Sequence, residues 1–376
     1  MRSVDQTLRD GEWNNDQDSS RRDRGRMSDA RKQRLMGAMS NGAANAGCIV
    51  MPLNRRLLAA GVIGLCAAYL AWPGVGVVGA SDFNQLWYAA RALLAGGNPY
   101  AAVGPGRAFD WPFPLFYPLP AVLVAVPFTV LGPAHASMLF SGITAALLVW
   151  VLTRSAPYRL AAVLSFSFYY ATAISQWSPI LIASVLIPSL GFLLVVKPTI
   201  GLALWLYKPH WQAVAGGTLL LLISFVVRPE WPMEWVQTFG AGTHIRGPIT
   251  TLGGPLILFA LLRWRRPEAR LLVALACVPH TTLLYEVLPL FLVPASWTQS
   301  LVLVALNWVA QIVVITMQPY ATLADRARMS ATVSVALLYL PCLIMVLRRP
   351  NEGDVPAWIT RGISLARTAL PRWSRT

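Results

Sequence analysis

Few side chains in this chain can do chemistry, and Asp82 comes first among them. It opens the stretch SDFNQLWYAARALLAGGNPY, residues 81–100, just after the first strongly apolar segment. In a chain that is 56% hydrophobic and carries only 16 Asp and Glu, an acid at a membrane surface marks a candidate site. The plainer reading is that Ser81 or Asp82 caps the helix that follows, with Gln85 as the partner in a capping box. Lys197 interrupts the run LLVV-KP-TIG, at a cost of about 2.5–3.5 kcal/mol for a lysine within a span. It suits a phosphate at a cavity mouth, or it snorkels to an interface. His280 lies in CVPHTTLLYE, six residues before Glu286. That spacing allows a His/Glu pair or two separate contacts between helices. Gln176 in ISQWSP is a lone amide at a span end. His244 and Arg246, in RPEWPMEWVQTFGAGTHIRGPI, suit an anion or plain solvent. Phosphate-cradling loops, dinucleotide glycine motifs, His-x-x-x-His pairs and serine elbows are missing. Sugar-nucleotide chemistry and metallohydrolysis therefore have no visible apparatus.

The elements that must hold these residues follow from the apolar pattern. Charged residues make up 12% of the chain, and apolar runs recur from Leu57 to Leu347. That excludes a soluble domain and describes an all-α polytopic membrane protein. Residues 1–50 are polar with few apolar anchors and read as a disordered cytoplasmic tail. A first span is expected over about 57–75. An outer region over 81–134 follows, with the Asp82 helix, the rigid segment WPFPLFYPLP and a re-entrant piece near 121–131 that is too short to span. On the helix, Phe83, Trp87, Ala90 and Leu94 form one stripe, as in helices that lie in the headgroup plane.

Further spans are expected over 136–153, 159–174, 211–227, 250–262, 298–316 and 331–347. Two runs, 178–207 and 270–294, carry Lys197-Pro198 and Pro279-His280 in mid-run. Hinged there, they bring Lys197 and His280 to the outer surface. Arg154, Arg159, Lys208, Arg263 to Arg270, Arg348 and Arg349 then share the inner side, as the positive-inside rule requires. Unwound backbone at membrane depth lines cavities, so both hinges point to a shared one. The expectation is an embedded domain over 51–348 of roughly ten to twelve membrane segments. A second outer loop covers 228–249, and 349–376 reads as a basic cytoplasmic tail. The net charge of +15 belongs to the span ends and not to nucleic acid. The four cysteines form no Cys-x-x-Cys pair and read as structural.

After the first span come Asp82-Phe83, Trp87-Tyr88-Ala89-Ala90-Arg91 and Gly97-Asn98-Pro99-Tyr100. Phe116-Tyr117-Pro118-Leu119-Pro120 and Pro127-Phe128 come next. Ser175-Gln176, Lys197-Pro198 and Val278-Pro279-His280 with Tyr285-Glu286 complete the series. In this order the motifs resemble the polytopic polyprenol-phosphate-sugar transferases of the GT-C superfamily. The closest group is glycosyltransferase family 87, the α-(1→2)-mannosyltransferase-like membrane proteins. The resemblance covers residues from about 57 to 320. Ser175 stands where the family has glycine, Val278 where it has serine, and Glu286 where it has aspartate.

The resemblance implies a GT-C-like bundle with its active site on the periplasmic or outer face of a bacterial-type inner membrane. It implies a polyprenyl-phosphate hexose donor, mannose first, a lipid or glycan acceptor, and inverting transfer with neither metal nor cofactor. Asp82 would be the base that deprotonates the acceptor hydroxyl. Lys197, His280 and Arg246 would hold the donor phosphate, and Gln176, Tyr117, Tyr285, Glu286, Trp87 and Arg91 are further substrate-site candidates. One carboxylate suffices, because a departing phosphate needs cations and not a general acid. Paired carboxylates are the requirement of glycosidases. A secondary transporter stays open, since hinged helices with polar groups also build substrate sites. So do a GT-C enzyme for another sugar, such as arabinofuranose, and an inactive assembly subunit. Transporters usually show two similar halves, and this chain has no internal repeat.

Overall fold

The structure is a computed structural model that describes residues 51–73, 75, 81–242, 246–279, 284–353, 355, 360, 361 and 364. The tail expected over 1–50 lies outside the described residues, as do His244 and His280. The described chain is mostly helical; its one sheet is a two-stranded parallel pair, Val103–Gly104 with Phe109–Asp110.

Among the described residues, four helices are long and apolar enough to cross a membrane: Leu53–Leu70, Pro133–Arg154, Trp297–Thr316 and Leu323–Leu347. A bent pair, Trp211–Val227 with Trp231–Ala241, turns by 95° and makes a fifth candidate. Large apolar side chains stay exposed along these elements, among them Leu58, Leu65, Leu219, Val226 and Ile312. Apolar surface on this scale needs a covering. Lipid provides it, and the protein is membrane-embedded. Leu53–Leu70 and Pro133–Ser155 are held together by small residues. A Cβ on Gly64 would sit 3.0 Å from Gly142 O, and one on Gly142 would sit 3.1 Å from Gly64 O.

The remaining expected spans come as short pieces. Residues 178–207 fold as Ser178–Leu186, Pro188–Val196 and Pro198–Tyr207. Proline starts each later piece, and the residue before a proline avoids helical geometry. Lys197 accordingly has φ −137° and ψ 80°. Residues 267–292 divide into Pro267–Cys277 and a tight helix over Leu284–Leu292. A ten-residue helix rises about 15 Å, half the thickness of a hydrocarbon core.

Basic residues gather at one end. Arg56 donates to Trp150 O at 3.3 Å and its guanidinium lies 4.0 Å from the Trp150 ring centre. Arg159 donates to the Tyr207 hydroxyl at 3.1 Å and lies 3.9 Å from the Glu268 carboxylate. Arg349 reaches the same carboxylate at 3.5 Å and donates to Val293 O at 2.9 Å. Arg270 donates to Leu206 O at 2.8 Å. Arg349 is thus part of the fold and not the start of a free tail. The folded boundary runs on through Pro350 and Asn351, which accept from Arg266 and Arg265.

The loops at the other end pack together. Glu234, in the helix Trp231–Gln237, takes Arg228 Nε at 2.6 Å and Asn98 Nδ2 at 2.7 Å. Trp235 donates its indole N–H to Phe116 O at 2.8 Å. Residues 228–237 thereby brace the 98–117 segment that carries Tyr117.

Candidate functional site

The helix Asp82–Leu94 begins with Ser81 as its N-cap: the Ser81 hydroxyl accepts from Phe83 N at 3.2 Å. Asp82 is the first helical residue, so the capping reading falls to its neighbour and the carboxylate is left for other work. Gln85 is buried and not a capping partner. The helix buries Phe83, Leu86, Ala89 and Ala90, while Leu94 is 58% exposed. The expected Phe83–Trp87–Ala90–Leu94 stripe is therefore rotated, because the buried face is set by packing on Phe128 and Phe140.

A second element delivers the partner. The helix Phe166–Ala173 ends at a turn in which Ser175 N donates to Thr172 O at 3.2 Å and Gln176 N to Ala171 O at 2.7 Å. These are the two bonds of a Schellman cap, whose reversing residue is normally glycine. Here it is Ser175, at φ 56°. Its hydroxyl donates to Ser137 O at 3.2 Å, which helps hold the strained turn. The elbow is fastened to the Asp82 helix by Asp82 N donating to Ile174 O at 3.0 Å and by the Ser81 hydroxyl donating to the same oxygen at 3.2 Å. Gln176 therefore points at Asp82 and donates from Nε2 to Oδ2. Its other end accepts from the Tyr117 hydroxyl at 3.2 Å. The result is one directional chain from phenol through amide to carboxylate.

Lys197 closes the other side. Its Nζ lies 3.0 Å from Glu286 Oε1 and 3.4 Å from the Tyr285 hydroxyl. It also stands 4.7 Å from the Tyr285 ring centre and 5.9 Å from that of Tyr117. Tyr117 thus joins the two networks. Tyr170, which the sequence did not single out, stacks on Tyr285 at 6.5 Å between ring centres. Gln176 is 1% exposed and Glu286 3%. Asp82 is partly buried.

Burial pushes the Asp82 carboxyl up to about 6; the Glu286 charge adds to the rise, while Lys197 and the Gln176 hydrogen bond oppose it. A carboxylate there is a better proton acceptor than one near 4 and is still ionised at pH 7. Burial also holds the Tyr117 phenol well above its ordinary range, so it remains a proton donor to Gln176. Chemically, the arrangement offers one positioned base and one cation within a shared, largely buried cluster.

The other expected residues are placed as follows. The partner found for Lys197 is Glu286; its expected meeting with His280 lies outside the described residues. Arg246 is exposed and adjoins Gly247, where an added Cβ would sit 3.7–3.8 Å from the carbonyl oxygens of Ala276, Cys277 and Val278. Exposed as it is, Arg246 is not part of the buried cluster. Trp87 donates to Leu131 O at 3.0 Å, and Arg91 lies over the Trp87 ring at 5.8 Å. Both face away from Asp82, since the buried stripe of their helix is a different one. Among the described residues, no group of three His, Cys, Asp or Glu is arranged to hold a metal.

Compared with protein-family models, with curated proteins and with solved structures, the chain matches none.

Proposed function

We propose that this protein is an integral membrane glycosyltransferase that moves a hexose, mannose first, from a polyprenyl-phosphate donor to a hydroxyl of a lipid or glycan acceptor. The observation that carries the reading is the convergence of Asp82, held by Gln176 and Tyr117, with Lys197 at a break between short helices. In the transfer, the acceptor oxygen forms a bond to the anomeric carbon while the bond from that carbon to the phosphate oxygen breaks. The electron pair leaves with the prenyl phosphate, and the acceptor proton passes to Asp82. Attack from the face opposite the phosphate inverts the anomeric centre. Lys197 supplies charge stabilisation where negative charge grows.

The basic end is cytoplasmic in this reading, by the positive-inside rule. The Asp82 end then opens to the outer face, and the short hinged pieces add to the long helices in a bundle of roughly ten to twelve membrane segments. The buried Lys197–Glu286 pair also favours a second reading, a secondary transporter, since intramembrane ion pairs mark substrate and proton paths. One experiment separates them. The purified protein is given a radiolabelled polyprenyl-phosphate mannose and extracted membrane lipids, and the products are resolved. A new labelled lipid that depends on Asp82 supports the transferase. Unchanged donor, together with solute uptake in liposomes, sinks it in favour of the transporter.

A further inference from the structure

The described cluster is short of positive charge for the reaction proposed. Asp82 and Glu286 are two carboxylates against the single ammonium of Lys197, which already pairs with Glu286 at 3.0 Å. A donor phosphodiester brings one negative charge, and the departing monoester approaches two. Anions are held in buried sites only against cations or several donors. Among the described residues, that charge calls for a further cation near the cluster.

Arg326 has the required position. It lies in the first turn of the helix Leu323–Ser334, which packs against the helix Leu284–Leu292 carrying Tyr285 and Glu286. That places it at the end of the bundle away from the basic cluster, because residues Val293 and Gln299 are held at the basic end by Arg349 and the Trp297–Thr316 helix runs from there to the far side. Arg326 is partly buried, and its Nε is sealed from solvent with no hydrogen-bond partner among the described residues. The adjacent acid does not neutralise it: the Asp325 carboxylate accepts from the Thr322 hydroxyl at 2.7 Å within the helix cap. A buried N–H left unmatched is unfavourable, and an arriving oxyanion would satisfy it.

We propose that Arg326, on the helix packed against the one that carries Tyr285 and Glu286, is a second cation of the donor-phosphate site, and that it binds the oxygens of a prenyl-type phosphate. The inference rests on the transferase reading and extends it by a residue on a different helix. A planar guanidinium can grip two phosphate oxygens at once, which an ammonium cannot. Lys197 and Arg326 would then divide the charge between them as the phosphate leaves.

The full-length protein in detergent is titrated with farnesyl phosphate and, as the uncharged control, farnesol. The wild type is expected to bind the phosphate more tightly than the alcohol. Arg326→Gln should weaken farnesyl phosphate about ten- to a hundredfold, the worth of a charge-assisted bond, and leave farnesol unchanged. Arg326→Met serves as a second variant that adds no unmatched polar group. In the wild-type protein, farnesyl phosphate but not farnesol should protect Arg326 from phenylglyoxal, read by peptide mass spectrometry. Unaltered phenylglyoxal modification at saturating farnesyl phosphate overturns the assignment, as does wild-type affinity in a folded variant. If Lys197→Ala loses the phosphate while the Arg326 variants keep it, only the second-cation assignment falls. If the wild type shows no preference for the phosphate over the alcohol, the donor-site reading falls with it.

Discussion

Gln176 and Asp82, 94 positions apart, meet through a hydrogen bond from the amide Nε2 to the carboxylate Oδ2. The backbone makes the same connection two residues away, with Asp82 N donating to Ile174 O at 3.0 Å. The carboxylate is thus aimed by a helix end that is itself reversed at Ser175. Each expectation below depends on some part of this assembly.

Asp82→Asn is the sharpest test of the base. Because Ser81 provides the cap, the variant should fold and express as the wild type does. Sugar transfer should fall by roughly 10²–10⁴-fold, the usual worth of a positioned proton acceptor. Retention of most of the turnover by the purified variant would remove Asp82 from the chemistry.

The pH dependence has a definite sign. Burial raises the Asp82 carboxyl to about 6, so the base is ionised above that value and protonated below it. Activity should be flat above pH 7 and decline as pH falls through about 6. The raised value also means that ionisation costs folding free energy as pH rises from about 4 to 6. Asp82→Asn should abolish that loss of stability. An acid limb near pH 4 in the rate profile would contradict the environment described for Asp82.

The Lys197–Glu286 pair should behave as a buried ion pair. Removing one partner strands the other charge, at a typical cost of 3–5 kcal/mol. Glu286→Leu alone should therefore lower the thermal midpoint more than Lys197→Met and Glu286→Leu combined. For the reaction, Lys197→Ala should weaken donor use by one to two orders of magnitude, and Lys197→Arg should restore part of it. Additive midpoints across the cycle would show that the pair is not coupled.

Ser175 should reveal strain. A non-glycine residue in the left-handed region costs about 1–2 kcal/mol, offset here by the bond to Ser137 O at 3.2 Å. Ser175→Ala keeps the strain and loses the bond, so it should be destabilised by about 1 kcal/mol. Ser175→Gly loses both and should stay near the wild type. Tryptophan-monitored unfolding in detergent gives the order; alanine equal to or above glycine would contradict the turn geometry.

Gly201 fixes the depth of Lys197. A Cβ there would overlap Leu194 O, so the pieces Pro188–Val196 and Pro198–Tyr207 close only on a bare backbone. Gly201→Ala should cost about 3 kcal/mol and disturb Lys197 with it. A fully stable, fully active Gly201→Ala protein would argue against this packing.

The sequence by itself determined where apolar segments lie, that the runs 178–207 and 270–294 break, and that Arg159, Arg270 and Arg349 share an end; it did not show that the expected spans 159–174 and 250–262 come as the short pieces Pro157–Leu164, Phe166–Ala173 and Gly254–Arg263. Those features are local: run length, a proline after Lys197 and charge at a run's edge each act on one element at a time. It also singled out Asp82, Gln176, Tyr117, Lys197, Tyr285 and Glu286, without their pairing. Only the tertiary structure decided that Ser81 caps while Asp82 meets Gln176, that Glu286 stands against Lys197, and that Trp87 and Arg91 turn away. It also stacked Tyr170 on Tyr285 and packed the helix of Arg326 against the helix that carries Glu286. The reason is physical. A helix shows its partner only one face, and which face that is depends on elements up to about a hundred residues away, packed through contacts such as Phe83 on Phe140. A single lysine or amide carries no local mark of its partner, whereas a run of leucines carries its own.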